Sequence, residues 1–350
     1  MTLVVDAHED VAWNVLALGR DVRRSALETR HLEEETDVPA RNGRCMVGLP
    51  EWLAGEVAVV FGTVYAAPAR RGKPAEPHTY SNAAEAHALG ARQLDFYRRL
   101  ADEEDQVTLV GDEHDLTDVL ESWQGDAPTV GILPLMEGAD PIREPAEAEW
   151  WFERGLRAVG LSWKAGTRYA GGDAAQGPLT DLGSQLLDVM AELGMILDVS
   201  HLAEESFYEA LGRFEGRVVA THANPRSRVA GARQLSDEMI RRLADRDGVI
   251  GIVPASFFLR SDWQTSSVTL VDVAATIDHV CQVVGDASHV GLGSDFDGGF
   301  GADHTPDALD TVADLQHIGP ALGELGYGEE HIEAILSGNW LRVLRDALPS

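Results

Sequence analysis

The stretch GMILDVSHLAEESFYEALGRFEGRVVATHA, residues 194–223, carries two apolar runs, each closing on a histidine, on either side of a helical pattern. Neither run alternates polar with apolar residues. Runs of Val, Ile and Leu without alternation are how strands buried on both faces read. Six more runs have this character: LVVDAH (3–8), VAVVFGTVYA (57–66), TVGILPLMEG (129–138), AVGLSWK (158–164), GVIGIVPAS (248–256) and HVGLGSDFDG (289–298). Each gives way to Gly, Asp, Asn or His and then to a helical pattern. Strands alternating with helices imply a parallel sheet. Eight such units over about 300 residues predict a closed (β/α)8 TIM barrel, with a doubly wound open sheet as the alternative.

The intervening text supports this. Helices are expected over 81–102, over 178–193 with Thr180 or Asp181 as cap, over 236–247 from Ser236, and over 270–285 ending at Gly285. Further helices are expected over 115–123, 306–323 and 329–347, with an extra strand at QVTLV (106–110). No repeat and no Pro/Gly/Ser-rich linker divides the 350 residues, so residues 1–350 read as a single barrel domain.

The formal net charge is −30. Such a surface repels phosphate backbones and anionic lipid, so neither nucleic acid nor membrane is an expected partner. Cys45 and Cys281 are the two cysteines, too few for a disulfide framework or a thiolate zinc site. They also read as lying away from the strand ends, which argues against cysteine catalysis. The absence of a GxSxG elbow argues the same way for serine. Met1 leads directly into a strand bearing Asp6, without the pattern of a signal peptide, and no run reaches 18 apolar residues. A cytoplasmic location is the default expectation.

Ionisable residues collect at the ends of the runs. His8 and Asp10 follow the first, Glu137 the third, His201 the fifth, His222 the sixth, and Asp295 and Asp297 lie on the eighth. In a barrel this is the face that carries active sites. Strand side chains alternate, so His8 and Asp10 share a face and Glu9 points away. Imidazoles and carboxylates from several strand ends are the donor set of a zinc or similar hydrolytic site. Glu137 is placed to bridge two ions, and cations would offset the clustering of Asp10, Glu137 and Asp295. Asp295 is preferred over Asp297 for chemistry, and Asp6 is expected to orient a ligand from behind. His78, His87, His114, His279, His304, His317 and His331 lie in helical or loop text, His31 follows a helical stretch, and all read as structural.

DAHED (6–10), MEG (136–138), GMILDVSHL (194–202), ATHANPRSRVAGARQLSDE (220–238), HVGLGSDFDG (289–298) and ILSGNWLRVL (335–344), in this order, resemble the membrane dipeptidase (renal dipeptidase) family of metallopeptidases. The resemblance implies an amidohydrolase-like barrel with two zinc ions. His8 and Asp10 match the ligands of the first, His201 and His222 those of the second, and Glu137 the bridge. Arg233 matches the residue that binds the substrate carboxylate, and Asp295 the one that moves protons. The family cleaves dipeptides, tolerates a D-residue at the C-terminal position, and often forms homodimers.

The sequence departs from the family in LSWKAGTRYAGG (161–172), where Trp163 stands in place of a histidine that contacts substrate. Lys164, Arg168 and Tyr169 are candidates to substitute. The expected reaction is hydrolysis of a small dipeptide by a hydroxide bridging the two zinc ions, with Asp295 as general acid–base. The alternatives are a related amidohydrolase acting on N-acyl amino acids or lactones, and a non-catalytic barrel.

Overall fold

The computed structural model describes residues 2–69 and 78–350. All eight apolar runs form strands: β1 Val4–Glu9, β2 Val57–Tyr65, β3 Val130–Glu137, β4 Ala158–Gly160, β5 Ile196–Asp198, β6 Val218–Val219, β7 Ile250–Ile252 and β8 Val290–Leu292. They are parallel and pair in the order β6-β5-β4-β3-β2-β1-β8-β7. A bridge between Ala220 and Ile250 joins β6 to β7, so the ring closes as a TIM barrel rather than an open sheet. The seam is thin. Ala220 N–H donates to Val249 O at 3.0 Å and Gly251 N–H to Ala220 O at 2.8 Å. By contrast β2 and β3 match in register from Val59–Gly131 to Tyr65–Glu137. Every residue of β1 and β3 is buried, as the unalternated runs require.

QVTLV also forms a strand, Val107–Leu109, which pairs with the first half of β3 while β4 pairs with its second half. It covers the lower edge of β3 that the three-residue β4 leaves open. The caps fall where the sequence placed them. Thr180 accepts from Gly183 N–H and Ser236 from Met239 N–H, while Gly285 ends helix 270–284 in the left-handed region. The terminal helix runs from Glu329 to Ala347 with one wide turn at Ala334–Gly338. Its Trp340 is fully buried and donates to Leu292 O, and Asn339 donates to Ala287 O and Val290 O, so this late motif holds β8.

Three readings are corrected. The helix expected from 306 begins at Val312, because Thr311 and Asp314 cap each other there. His31 lies inside helix Ala26–Glu33 rather than after a helix. The short helices Val11–Trp13, Val38–Asn42 and Leu49–Ala54, none of them expected, fill the long β1–β2 connection together with Ala26–Glu33. This connection packs on the loop after β8, where Met46 N–H donates to Asp297 and Ala302 N–H to Arg44 O. Among the described residues, no helix is long and apolar enough to cross a membrane.

Candidate metal centre and active site

The strand ends bring the predicted donors together. His201 Nε2 lies 3.1 Å, His222 Nε2 3.3 Å and His8 Nε2 3.9 Å from the same oxygen, Glu137 Oε1. His8 Nε2 is also 3.9 Å from Asp10 Oδ2 and from Asp295 Oδ1. Three overlapping groups each have donor atoms within 4.8 Å of one another: His8, Asp10 and Glu137; Glu137, His201 and His222; His8, His222 and Asp295. None of the other histidines joins such a group among the described residues.

The backbone makes this possible at two turns. His201 and Asp295 have φ of 64° and 58°, so each leaves its strand through a left-handed residue. Asp295 is held there by its N–H donating to His8 O at 3.0 Å. Gly298 completes the turn. A Cβ on it would lie 2.2 Å from Asp295 Oδ1 and 2.6 Å from Asp10 Oδ2, so only glycine leaves both carboxylates room.

Thr221, which the sequence reading passed over, orients two of the imidazoles. Its hydroxyl donates to Asp198 Oδ2 at 2.6 Å. The proton is thereby used, and the oxygen accepts from His8 Nδ1 at 3.3 Å and His222 Nδ1 at 3.0 Å. Both rings therefore carry their proton on Nδ1 and turn a bare Nε2 lone pair inward. Both Nε2 atoms are buried without a hydrogen-bond partner. His201 follows the same rule through Asp173, whose Oδ2 lies 2.8 Å from its Nδ1. Buried, unpartnered nitrogen lone pairs facing carboxylates are the donor chemistry of a divalent cation site, and these residues fit one.

The electrostatics agree. Burial first, then the His201 and Arg233 charges, hold His8 well below the usual imidazole range. Burial first, then His8 and Arg233, does the same for His222. Burial and then Arg233 bring His201 down to about 4. In the other direction burial lifts Asp10 to about 6, and burial with neighbouring Asp10 lifts Glu137 and Asp295 well above ordinary carboxylates. A cavity that disfavours protonated imidazole and ionised carboxylate together is relieved by cations.

Arg233 comes within the site. Nη2 donates to His222 O at 2.7 Å, the guanidinium carbon lies 5.7 Å from the Phe258 ring centre, and Nη1 is buried without a partner. Trp163 packs 5.1 Å from the Tyr65 ring and 6.2 Å from the His201 ring, centre to centre. Of the candidates to replace the family histidine, Arg168 and Tyr169 are committed elsewhere, while the Lys164 charge acts on His201. Arg168 is bound to Asp140 and to the carbonyls of Asp140, Ile142 and Arg143, and Tyr169 donates to Ile142 O. Lys164 is exposed.

Asp6 does not reach a ring. Its Oδ1 accepts from Ser294 N–H at 2.7 Å, and the ring-orienting role expected of it belongs to Thr221, Asp198 and Asp173. Glu9 does point away, accepting from Trp52 Nε1. Asp297 turns from Asp295 at φ 61° into a buried pair with Arg20 at 3.2 Å. Cys45 lies at this strand end after all, 3.4 Å from Asp297 Oδ2. Burial and the Asp297 charge push its thiol far up, so it holds no nucleophilic thiolate.

A parallel barrel with histidines and carboxylates converging at the C-terminal strand ends is the architecture of a metal-dependent hydrolase. The chain belongs to the membrane dipeptidase family (peptidase family M19), whose sequence model matches residues 1–348. It is 32% identical over 227 residues to a Klebsiella pneumoniae protein named "Uncharacterized protein in pqqA 5'region", covering 62% of this chain and 82% of that one. It is 26% identical over 236 residues to "Dipeptidase aclJ" of Aspergillus oryzae, covering 66% of this chain and 55% of the fungal protein. In fold it resembles a metallo peptidase from Rhodobacter sphaeroides liganded with a phosphinate mimic of the dipeptide L-Ala-D-Ala. The TM-score is 0.79 at 22% identity, covering 99% of this chain and 100% of the other.

Proposed function

We propose that this protein hydrolyses dipeptides with two zinc ions, one held by His8 and Asp10, the other by His201 and His222, with Glu137 shared. The observation that carries this reading is the convergence of three bare Nε2 atoms on one Glu137 oxygen. Glu137 is also the member common to the His8–Asp10 group and the His201–His222 group. When bound, the metals supply Lewis acidity that brings a water toward its neutral-pH pKa and polarises the scissile carbonyl.

The chain's own groups do the rest. Asp295 takes a proton from the attacking water and gives it to the departing amine nitrogen, so that the C–N bond breaks to a free amine and a carboxylic acid. Its Oδ1 stands 3.9 Å from His8 Nε2, at the edge of the donor cluster. Arg233 offers its unpartnered Nη1 to the substrate's terminal carboxylate. Trp163 and Tyr65 form an aromatic wall beside His201, in place of a polar group. The L-Ala-D-Ala mimic bound by the Rhodobacter sphaeroides protein supports including L-D dipeptides among the substrates.

The test is a panel of L-L dipeptides, L-D dipeptides and N-acyl amino acids, with the metal counted on the same sample. Dipeptide turnover at about two zinc ions per chain is expected. A zinc-loaded protein that cleaves no dipeptide overturns the reading, and turnover confined to N-acyl amino acids moves it to the related amidohydrolase activity.

A further inference from the structure

Asp173 lies outside the barrel, on a hairpin of Ala170–Gly172 and Ala175–Leu179 inserted after β4. The hairpin is pinned on three sides. Ala203 N–H donates to Gly171 O, Ala174 N–H to Lys164 O, and Ser206 Oγ accepts from Gly171 N–H and donates to Gly177 O. A bridge between Gly172 and Leu202 fastens it beside His201. Gly172 is seated so closely that a Cβ on it would lie 2.3 Å from Trp163 O.

This anchoring delivers one carboxylate between two functional groups from different strands. Asp173 Oδ2 is 2.8 Å from His201 Nδ1 and 3.7 Å from Arg233 Nε. The carboxylate side chain is 8% exposed and that of Arg233 13%, so neither charge is dispersed into water. A hairpin turn does not need this side chain, since its carboxylate meets His201 and Arg233 and the Gln176 contact uses the Asp173 carbonyl.

We propose that Asp173 is a positioning residue that sets the His201 ring for metal and aims the Arg233 guanidinium for the substrate carboxylate, linking the two sites through one side chain. A carboxylate behind an imidazole fixes its tautomer and raises its basicity as a ligand. The same negative charge keeps the Arg233 stem turned so that Nη2 stays on His222 O and Nη1 faces the cavity. The His201 half needs only a metal. The Arg233 half rests on the dipeptidase reading.

Two readouts test it on the full chain. The first is zinc affinity of the chelator-stripped protein, measured by competition with a chromophoric chelator. The second is the kcat/KM ratio between the best-cleaved dipeptide and its C-terminal amide. Asp173→Ala is expected to weaken zinc binding by about 10- to 100-fold. It is also expected to lower the acid-over-amide preference by about tenfold, the loss of roughly one charge-assisted hydrogen bond. Asp173→Asn, which keeps a neutral acceptor for Nδ1–H, should lose less zinc affinity than Ala, and it replaces Ala in both assays if Ala fails to fold.

A folded variant with zinc affinity within about threefold of wild type overturns the proposal, because a structural hairpin residue would lower the melting temperature alone. An unchanged acid-over-amide ratio overturns it equally. If the wild type cleaves neither substrate, the dipeptidase reading has failed instead, and zinc affinity alone decides the role of Asp173.

Discussion

Thr221→Val is the sharpest perturbation the structure offers, because one hydroxyl serves histidines from both of the proposed metal groups. Valine keeps the volume and shape of threonine and removes the oxygen. Two Nδ1–H groups, on His8 and His222, lose their acceptor, and Asp198 Oδ2 loses its donor. Asp198 Oδ1 keeps its bonds to the N–H groups of Ser200 and Thr221, so the strand ends stay tied. Freed of Thr221, each neutral ring can carry its proton on Nε2, the atom that faces Glu137, and that proton must leave before a cation binds.

Losing such a partner costs about 10- to 100-fold in metal affinity per ligand. Two ligands give about 10²- to 10⁴-fold, or roughly 3–5 kcal/mol at about 1.4 kcal/mol per decade. The hydrogen-bond route agrees: two stranded N–H groups at about 1–3 kcal/mol each give about 2–6 kcal/mol. The assay is zinc titration of stripped protein against a chromophoric chelator, with circular dichroism to confirm folding. Both sites should weaken together, while Thr221→Ser, which retains the hydroxyl, should stay near wild type. A folded Thr221→Val protein that binds both ions at wild-type affinity, or that loses only one, would refute the shared-acceptor argument.

Asp295→Asn should keep both metals by elemental count and lose about 10²- to 10⁴-fold in kcat, the usual worth of a general acid–base. Arg233→Gln should raise KM for dipeptides by about 10- to 100-fold, with a much smaller effect on their C-terminal amides, as expected of a charge-assisted hydrogen bond. Stripping metal should lower the melting temperature. Zinc at 100 times its dissociation constant should restore about 2.7 kcal/mol, read as a zinc-dependent Tm. Arg20→Met strands the buried Asp297 carboxylate and should destabilise the protein by about 3–5 kcal/mol in urea unfolding.

The barrel was legible because its strands are buried on both faces, so each appears as an unbroken apolar run. Donors were legible because chemistry gathers where those runs end. His8, Asp10, Glu137, His201, His222 and Asp295 all converge as their places on the strand ends required. What escaped reading was contact made across sequence. Thr221 looks like an ordinary strand threonine, and nothing local reveals that it faces two imidazoles. Asp198 did leave a signal, a charge inside the apolar run MILDVSH, of the same kind as Asp6 in LVVDAH. Asp173 left none, since AGGDAAQG reads as a turn. Period two held for His8 and Asp10 but failed for Asp295 and Asp297, whose left-handed backbone sends one into the cluster and the other to Arg20. The connection over 11–54 is built of helices too short for periodicity to register.

The thin seam between β6 and β7 gives the ring a direction of weakness. The sheet is stitched from β6 back through β1 to β8 and β7, and its two free edges meet through the short Ala220–Ile250 bridge, the Ala223 N–H bond to Gly251 O and the side chain of Asn224 on Val253. Transient parting there would leave every other ladder intact. It would separate the His222 strand from the Asp295 strand by way of β7, while His8, Glu137 and His201 remain joined through the other side of the ring. Amide hydrogens of Ala220 and Gly251 should accordingly exchange with deuterium ahead of those in β2 and β3, and metal loading, by tying His222 to Glu137, should slow the seam before it slows anything else.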